Sequence, residues 1–281
     1  MPGICFKYDD DKKTRLMSLC EHGKITLEII REFKNSRKMR KQIGKKDKYG
    51  WTALMYLCRY NQNITPELIR ELKDEIKMQS NKGLTALMCL CKNININIDL
   101  VKELKDEIGM IDNYYSTALI DYISDNPAKS LDLNVIKFLK SEMKLKNFNG
   151  TALMHLCIIR RKNQVIELIR ELKDEIGMKD RDGYTALCHF CSRYPGYINI
   201  EIINELKDEI NIENRYHEYP ISCYCEYDKI DLKILQSLLI NKDNMLAYRT
   251  LICKLLSQVE SNYNVDNKYE IICFLKERLQ D

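Results

Sequence analysis

The sequence predicts an all-α solenoid of about eight stacked two-helix units, and three observations carry that expectation. First, Thr52-Ala53-Leu54-Met55 returns as Thr85-Ala86-Leu87-Met88, Thr117-Ala118-Leu119-Ile120, Thr151-Ala152-Leu153-Met154 and Thr185-Ala186-Leu187-Cys188, at steps of 33, 32, 34 and 34 residues. Second, Leu72-Lys73-Asp74-Glu75-Ile76 recurs at 104–108, 172–176 and 206–210, each leucine 13 residues before the next threonine position. Third, both blocks lie on apolar stripes of helical spacing. Ala53, Leu54, Leu57 and Cys58 make one; Leu68, Ile69, Leu72 and Ile76 make the other, repeated by Leu168, Ile169, Leu172 and Ile176.

Residues 1–48 read as an N-terminal capping repeat with a basic extension. A divergent copy, Thr14-Arg15-Leu16-Met17, follows the charges Asp9, Asp10, Asp11, Lys12 and Lys13, and a stacked array needs polar ends of this kind. Residues 49–228 are the regular repeats. In each, the threonine is a natural N-cap for a first helix. The polar stretches Asp47-Lys48-Tyr49-Gly50, Ser80-Asn81-Lys82-Gly83 and Asp180-Arg181-Asp182-Gly183 predict tight turns that need a positive φ. Length variation falls between the two blocks, where a loop belongs. Tyr219-Pro220-Ile221-Ser222 stands at the seventh threonine place. Residues 229–281 read as a degenerate repeat, near Arg249-Thr250-Leu251-Ile252, and a C-terminal cap with the apolar face Ile271, Ile272, Phe274 and Leu275. Neither helix of a unit is long enough to stand alone in water. Stacked, the units bury a continuous core, so 1–281 is expected to form a single solenoid.

The chain has 281 residues, 45% hydrophobic and 31% charged, which excludes a disordered polymer. A net charge of +4 does not by itself point to nucleic acid or membrane. No apolar run is long enough for a membrane span, and Met1-Pro2-Gly3-Ile4-Cys5 lacks a secretory layout. A cytoplasmic chain is expected. No phosphate loop, H-E-x-x-H, G-x-S-x-G or kinase signature occurs, so no enzyme activity, catalytic residue or cofactor is expected.

The 12 cysteines resemble a disulfide framework until they are placed on the period. Cys20, Cys58, Cys91, Cys157, Cys191 and Cys225 all lie six residues after the threonine position. Helices pack at about 8–10 Å, whereas a disulfide needs Cα atoms within about 7 Å. The cysteines are therefore expected to be free thiols filling a crowded slot in a reducing compartment. Cys188-His189-Phe190-Cys191, with Cys223-Tyr224-Cys225 one repeat on, has zinc-like spacing. It lacks a second C-x-x-C to complete four ligands, so packing is favoured and no metal is expected.

Gly50-Trp51-Thr52-Ala53-Leu54-Met55 and Gly183-Tyr184-Thr185-Ala186-Leu187 resemble the ankyrin repeat, whose hallmark is Gly-x-Thr-Pro-Leu-His-x-Ala. Alanine replaces the family's proline, and methionine mostly replaces its histidine, as in divergent Thr-Ala-Leu-Met ankyrin arrays of some protists. The resemblance covers about residues 14–228 and implies an ankyrin-repeat solenoid with short hairpin-like turns between units. The Lys-Asp-Glu-Ile block departs from the family pattern, so the second helix is expected to end differently. Its carboxylates are expected on a solvated convex face.

The resemblance also implies a binding surface along a concave groove, lined by turn tips and by first-helix positions four, seven and eight after the threonine. In this chain the candidates are Trp51, Tyr56, Arg59, Tyr60, Lys92, Asp121, Asp125, His155, Tyr184, His189, Arg193 and Tyr227. These positions vary while the core positions repeat, and Trp, Tyr and Arg are the types that dominate interface energetics. The implied function is a non-enzymatic scaffold, adaptor or inhibitor that recognises another protein; a monomer is expected. One alternative rests on a basic run, Lys34, Arg37, Lys38, Arg40, Lys41, Lys45, Lys46 and Lys48, with a single acid, Asp47, inside it. Such a run suits a phosphate-rich partner, nucleic acid or anionic lipid, although charge runs usually only solvate a surface.

Overall fold

The computed structural model describes residues 12–125, 131–159, 164–193, 195–226, 230–239, 245–261 and 267–280, and its regular elements there are helices. The chain forms two compact units, 1–147 and 148–281.

In the first unit, the leading helices of successive repeats are α1 (Arg15–Glu21), α4 (Ala53–Tyr60), α6 (Ala86–Cys91) and α8 (Ala118–Ser124). Their trailing helices are α2 (Leu27–Asn35), α5 (Pro66–Glu71), α7 (Ile98–Glu103) and α9 (Leu133–Phe138), while α3 (Arg37–Arg40) occupies the long first connection. Leading helices pack on leading ones and trailing on trailing. In the second unit the leading helices are α10 (Ala152–Ile158), α12 (Ala186–Arg193) and α14 (Pro220–Cys225). Here α11 (Val165–Glu171), α13 (Ile200–Glu205) and α15 (Leu232–Ser237) trail them, and α16 (Met245–Ser261) and α17 (Lys268–Gln280) follow. Thr250 lies inside α16, a longer helix that packs on α14 and α17.

Helices this short depend on their ends. Thr52, Thr85, Thr117, Thr151 and Thr185 are fully buried, and each hydroxyl accepts the amide three residues on, at 3.2 to 3.5 Å. Each such cap contributes about 1 kcal/mol. The trailing helix stops at Glu71, Glu103, Phe138, Glu171 or Glu205 and tightens into a 3₁₀ turn at 73–75, 105–107, 140–142, 173–175 or 207–209. The departure expected from the Lys-Asp-Glu-Ile block is this turn.

The glutamate of that block corrects the sequence reading. Asp74, Asp106, Asp174 and Asp208 are solvated as expected, but Glu75, Glu107, Glu142, Glu175 and Glu209 are at most 1% exposed. Each takes the interior place that the apolar stripe assigned to the next residue; Ile76 is only half-buried. The backbone explains the burial. Leu54 N–H donates to Glu75 Oε2 at 2.7 Å, and Gly44 N–H, from the preceding repeat, donates to Oε1 at 2.8 Å. Glu107 receives Leu87 N–H at 2.6 Å and Lys77 N–H at 2.8 Å. Glu142 receives Leu119 and Gly109; in the second unit, Glu209 receives Leu187 and Gly177, and Glu175 receives Leu153.

One carboxylate oxygen therefore satisfies an orphan amide at the start of the unit's own leading helix, where the helix dipole also favours negative charge. The other oxygen anchors the turn that closes the preceding repeat. Burial raises the carboxyls of Glu75, Glu107, Glu142 and Glu209 above their ordinary range, against the pull of these N–H donors. The first repeat is instructive. Its equivalent residue is Gln42, whose single carbonyl oxygen accepts the single amide of Leu16 at 3.2 Å.

The cysteine slot is as the spacing implies. Cys20, Cys58, Cys91, Cys157, Cys191 and Cys225 are fully buried. The described cysteines are all free thiols, of which Cys253 is exposed and Cys273 half-buried.

Candidate partner-binding surface

The turn before α4, α6, α8, α12 and α14 is built by the residue five positions ahead of the cap. The Asp47 carboxylate accepts Tyr49 and Trp51 N–H, each at 2.8 Å, and Asp47 N–H donates to the Trp51 carbonyl at 3.0 Å. Ser80, Asp112, Asp180 and Asn214 repeat this arrangement. Neighbouring tips are joined: Asn81 N–H donates to the Tyr49 carbonyl, Asn113 to Lys82 and, in the second unit, Arg215 to Asp182. Gly83, at φ +80°, sits where an added Cβ would lie 2.8 Å from Asn113 N. Glycine is required there by both conformation and space.

These turns decide which candidates reach the surface. The Tyr56 hydroxyl donates to Asp47 Oδ2 at 2.8 Å, and its ring is only 7% exposed beneath Lys13, whose ammonium lies 4.4 Å from the ring centroid. Tyr56 is thus a support and not a contact surface, because the folded-back turn supplies its partner. Trp51 and Tyr60 rest on it, with centroids at 5.2 and 6.1 Å, and stack on each other at 6.1 Å. Tyr60 is 48% exposed. Arg59 Nη1 donates to the Lys92 carbonyl at 2.8 Å, which ties the guanidinium to the next repeat near the Tyr60 ring.

Lys92 in turn meets Asp125 at 2.8 Å and Asp121 Oδ2 at 3.4 Å. Asp121 is 6% exposed, accepts the Ser116 hydroxyl, and is pushed up to about 6 by burial, against the pull of Lys92. Like Tyr56, Asp121 lies beneath the surface. Burial opposes the charge on Lys92, but the two aspartates hold its ammonium above the usual range.

In the second unit His189 takes the place of Tyr56. Its Nε2 lies 2.8 Å from Asp180 Oδ2, and its ring packs 5.6 Å from Tyr184. The Tyr184 hydroxyl donates to Glu218 at 3.3 Å. His155 occupies the equivalent position one repeat earlier and is half-buried; burial, and then the His189 charge, push it down to about 4. Neither histidine is an ordinary surface group. Arg193 is exposed, and Tyr227 lies outside the described residues.

Leading helices that begin at a buried threonine cap, linked hairpin tips and trailing helices stacked on trailing ones are the elements of a known repeat architecture. Compared with solved structures, the chain is similar to the crystal structure of the ankyrin repeat domain of Bcl-3, described as a unique member of the IkappaB protein family. The TM-score is 0.58 at 13% sequence identity, over 82% of this chain and 99% of that one. The fold is the ankyrin repeat. No protein-family profile matches the sequence, and no curated protein matches it.

The ankyrin turn tips also carry aromatics that are at least half exposed, Tyr49, Tyr114 and Tyr115 in the first unit and Tyr216 in the second. Sequence reading missed Tyr216, and it missed Lys13, which no spacing rule connects to Tyr56. The basic run is divided between roles. Lys34 pairs with Glu71 at 2.6 Å, Lys46 donates to the Gln79 carbonyl, and Lys48 lies 4.9 Å from the Tyr49 ring centroid. Arg37, Lys38, Arg40, Lys41 and Lys45, on α3 and the turn after it, are exposed and meet no acidic side chain among the described residues. Among the described residues no helix is long and apolar enough to cross a membrane.

Proposed function

We propose that this chain is a non-enzymatic scaffold, an adaptor or inhibitor, that holds a protein partner on the groove and turn tips of its ankyrin units. The observation that carries the reading is the Trp51–Tyr60 shelf with Arg59 beside it. Its rings are held from below by Tyr56 and its guanidinium by the Lys92 carbonyl, so little side-chain entropy remains to be lost on binding. Free buried thiols support a reducing, cytoplasmic setting, and the chain works as a monomer. The test is affinity capture from the native cell with the intact chain and with Trp51→Ala, Arg59→Ala and Tyr60→Ala combined. A protein retained by the first and at least tenfold depleted with the second, at equal helicity, is the expected result. Equal retention by both removes the reading.

A second reading rests on these five exposed cations, which have no acidic partner among the described residues and suit the phosphates of a nucleic acid or an anionic lipid surface. It requires binding that weakens steeply with salt and disappears when Lys38, Arg40, Lys41 and Lys45 become Glu. Absence of binding by the parent chain at low salt eliminates it.

A further inference from the structure

Position seven after the threonine carries a cation in two successive repeats of the first unit, Arg59 on α4 and Lys92 just after α6, and the two are treated differently. Lys92 is neutralised from within the next repeat. Asp125, at position eight there, lies 2.8 Å from its ammonium, and Asp121, at position four, lies at 3.4 Å. One repeat beyond Arg59, the same two places hold Asn93 and Cys89, and neither brings a charge. Asn93 is 3% exposed and turned inward: its Nδ2 donates to the Cys58 and Asn61 carbonyls at 2.8 and 3.0 Å, and its Oδ1 accepts Asn95 N–H. Cys89 is a buried thiol, pushed up to about 12 by burial against the pull of the nearby Arg59 charge. Arg59 is thus a half-buried guanidinium with an N–H on the Lys92 carbonyl, and no acidic side chain pairs with it among the described residues. A cation that has given up part of its hydration without gaining an anion is stabilised by an anion brought to it.

The acids of α1 and of the turn before α4 are already engaged. Glu21 holds Lys13 at 2.8 Å, and the buried Asp47 carboxylate accepts Tyr49 and Trp51 N–H and the Tyr56 hydroxyl. The charges exposed on the two turn tips that flank α4, Lys48 and Lys82, are positive.

We infer that Arg59 is the receptor for a carboxylate of the bound partner, an aspartate or glutamate side chain adjoining an apolar ring that seats on the Trp51–Tyr60 shelf. The inference rests on the groove reading above and states what the partner must carry. A carboxylate meets guanidinium N–H groups in a planar, two-bonded geometry, and positive tips favour its approach. A basic segment would bring like charge against Arg59 and both tips.

The test pans random displayed peptides on the full-length chain, and the most enriched sequence is synthesised twice, with its acidic residue and with the corresponding amide. Fluorescence anisotropy gives both affinities for the parent and for Arg59→Gln, which keeps a donor for the Lys92 carbonyl, at equal helicity. The acid is expected to bind the parent about tenfold more tightly than the amide, and Arg59→Gln to reduce that ratio below about twofold, the loss of one charge-assisted pair. Arg59→Lys, which retains the charge without the fork, should fall between them. An acid preference undiminished in Arg59→Gln, or an equal loss for both peptides, overturns the receptor. Retained peptides that need Trp51 and Tyr60 but carry no excess of acid keep the groove and discard the receptor. Acidic peptides that need Arg59 yet bind Trp51→Ala and Tyr60→Ala undiminished keep the receptor and discard the shelf. No retained peptide removes both.

Discussion

Replacing Glu107 by alanine would leave two amides without acceptors, the buried one of Leu87 and the part-buried one of Lys77, now bonded at 2.6 and 2.8 Å. An orphaned buried donor costs about 1–3 kcal/mol, which applies in full to Leu87, whereas water reaches the exposed Lys77 and lessens its share. Part is recovered, because a carboxylate that burial has raised no longer has to be kept out of water. The expected net loss is about 2 kcal/mol. Glu107→Gln keeps one oxygen but turns an NH₂ toward an N–H, and should lose about half as much. Urea unfolding followed by helical circular dichroism gives the ranking, and hydrogen exchange at Lys77 and Leu87 locates it. Because such units couple mainly to their neighbours, the alanine variant should also broaden the transition. If the glutamine variant matches the parent within about 0.5 kcal/mol and both amides keep their protection, the two-oxygen argument is wrong.

Lys77 holds a left-handed backbone, φ 69°, at the place where Gly44, Gly109 and Gly177 stand in other repeats. Lys77→Gly should therefore stabilise the first unit by up to about 1 kcal/mol in the same assay, and a clear loss would refute the strain argument. Gly83→Ala is its converse: a positive φ and a Cβ at 2.8 Å from backbone predict a loss of at least about 2 kcal/mol, read as a lower urea midpoint. His155 sits near 4 in the folded chain against an ordinary 6.5, so it folds as the neutral imidazole. A depressed folded value contributes stability that is present above pH 6.5 and is lost as pH falls through about 4, up to about 3 kcal/mol. His155→Gln should flatten the stability profile across that window; a profile as steep as the parent's would show that the imidazole is not the cause.

The repeat, its threonine caps and its cysteine slot were legible because each is a local requirement recurring in register. The buried glutamate was not. In Leu-Lys-Asp-Glu-Ile it sits among charges that a helical reading assigns to solvent, and its partners lie 21 and 31 residues away at Leu54 and Gly44. One signal was available: the fourth repeat reads Leu139-Lys140-Ser141-Glu142-Met143, which gives up the aspartate and keeps the glutamate. At the surface, position four after the threonine was expected to line the groove, but Tyr56 and Asp121 at that position lie beneath it. Whether Tyr56, Asp121 and His189 are exposed depended on hairpins folding back to Asp47, Ser116 and Asp180, contacts that a linear period does not encode.

The glutamate pairing gives each repeat a plug and a socket: it carries its own anion and offers one amide to the repeat after it. A whole 33-residue block copied between Gln42 and Glu75 would bring both halves of that connection and leave none unmatched. A block cut half a period out of phase would strand an anion in the interior. Such chains can lengthen by duplication in whole modules, with the neutral glutamine marking where the series opens.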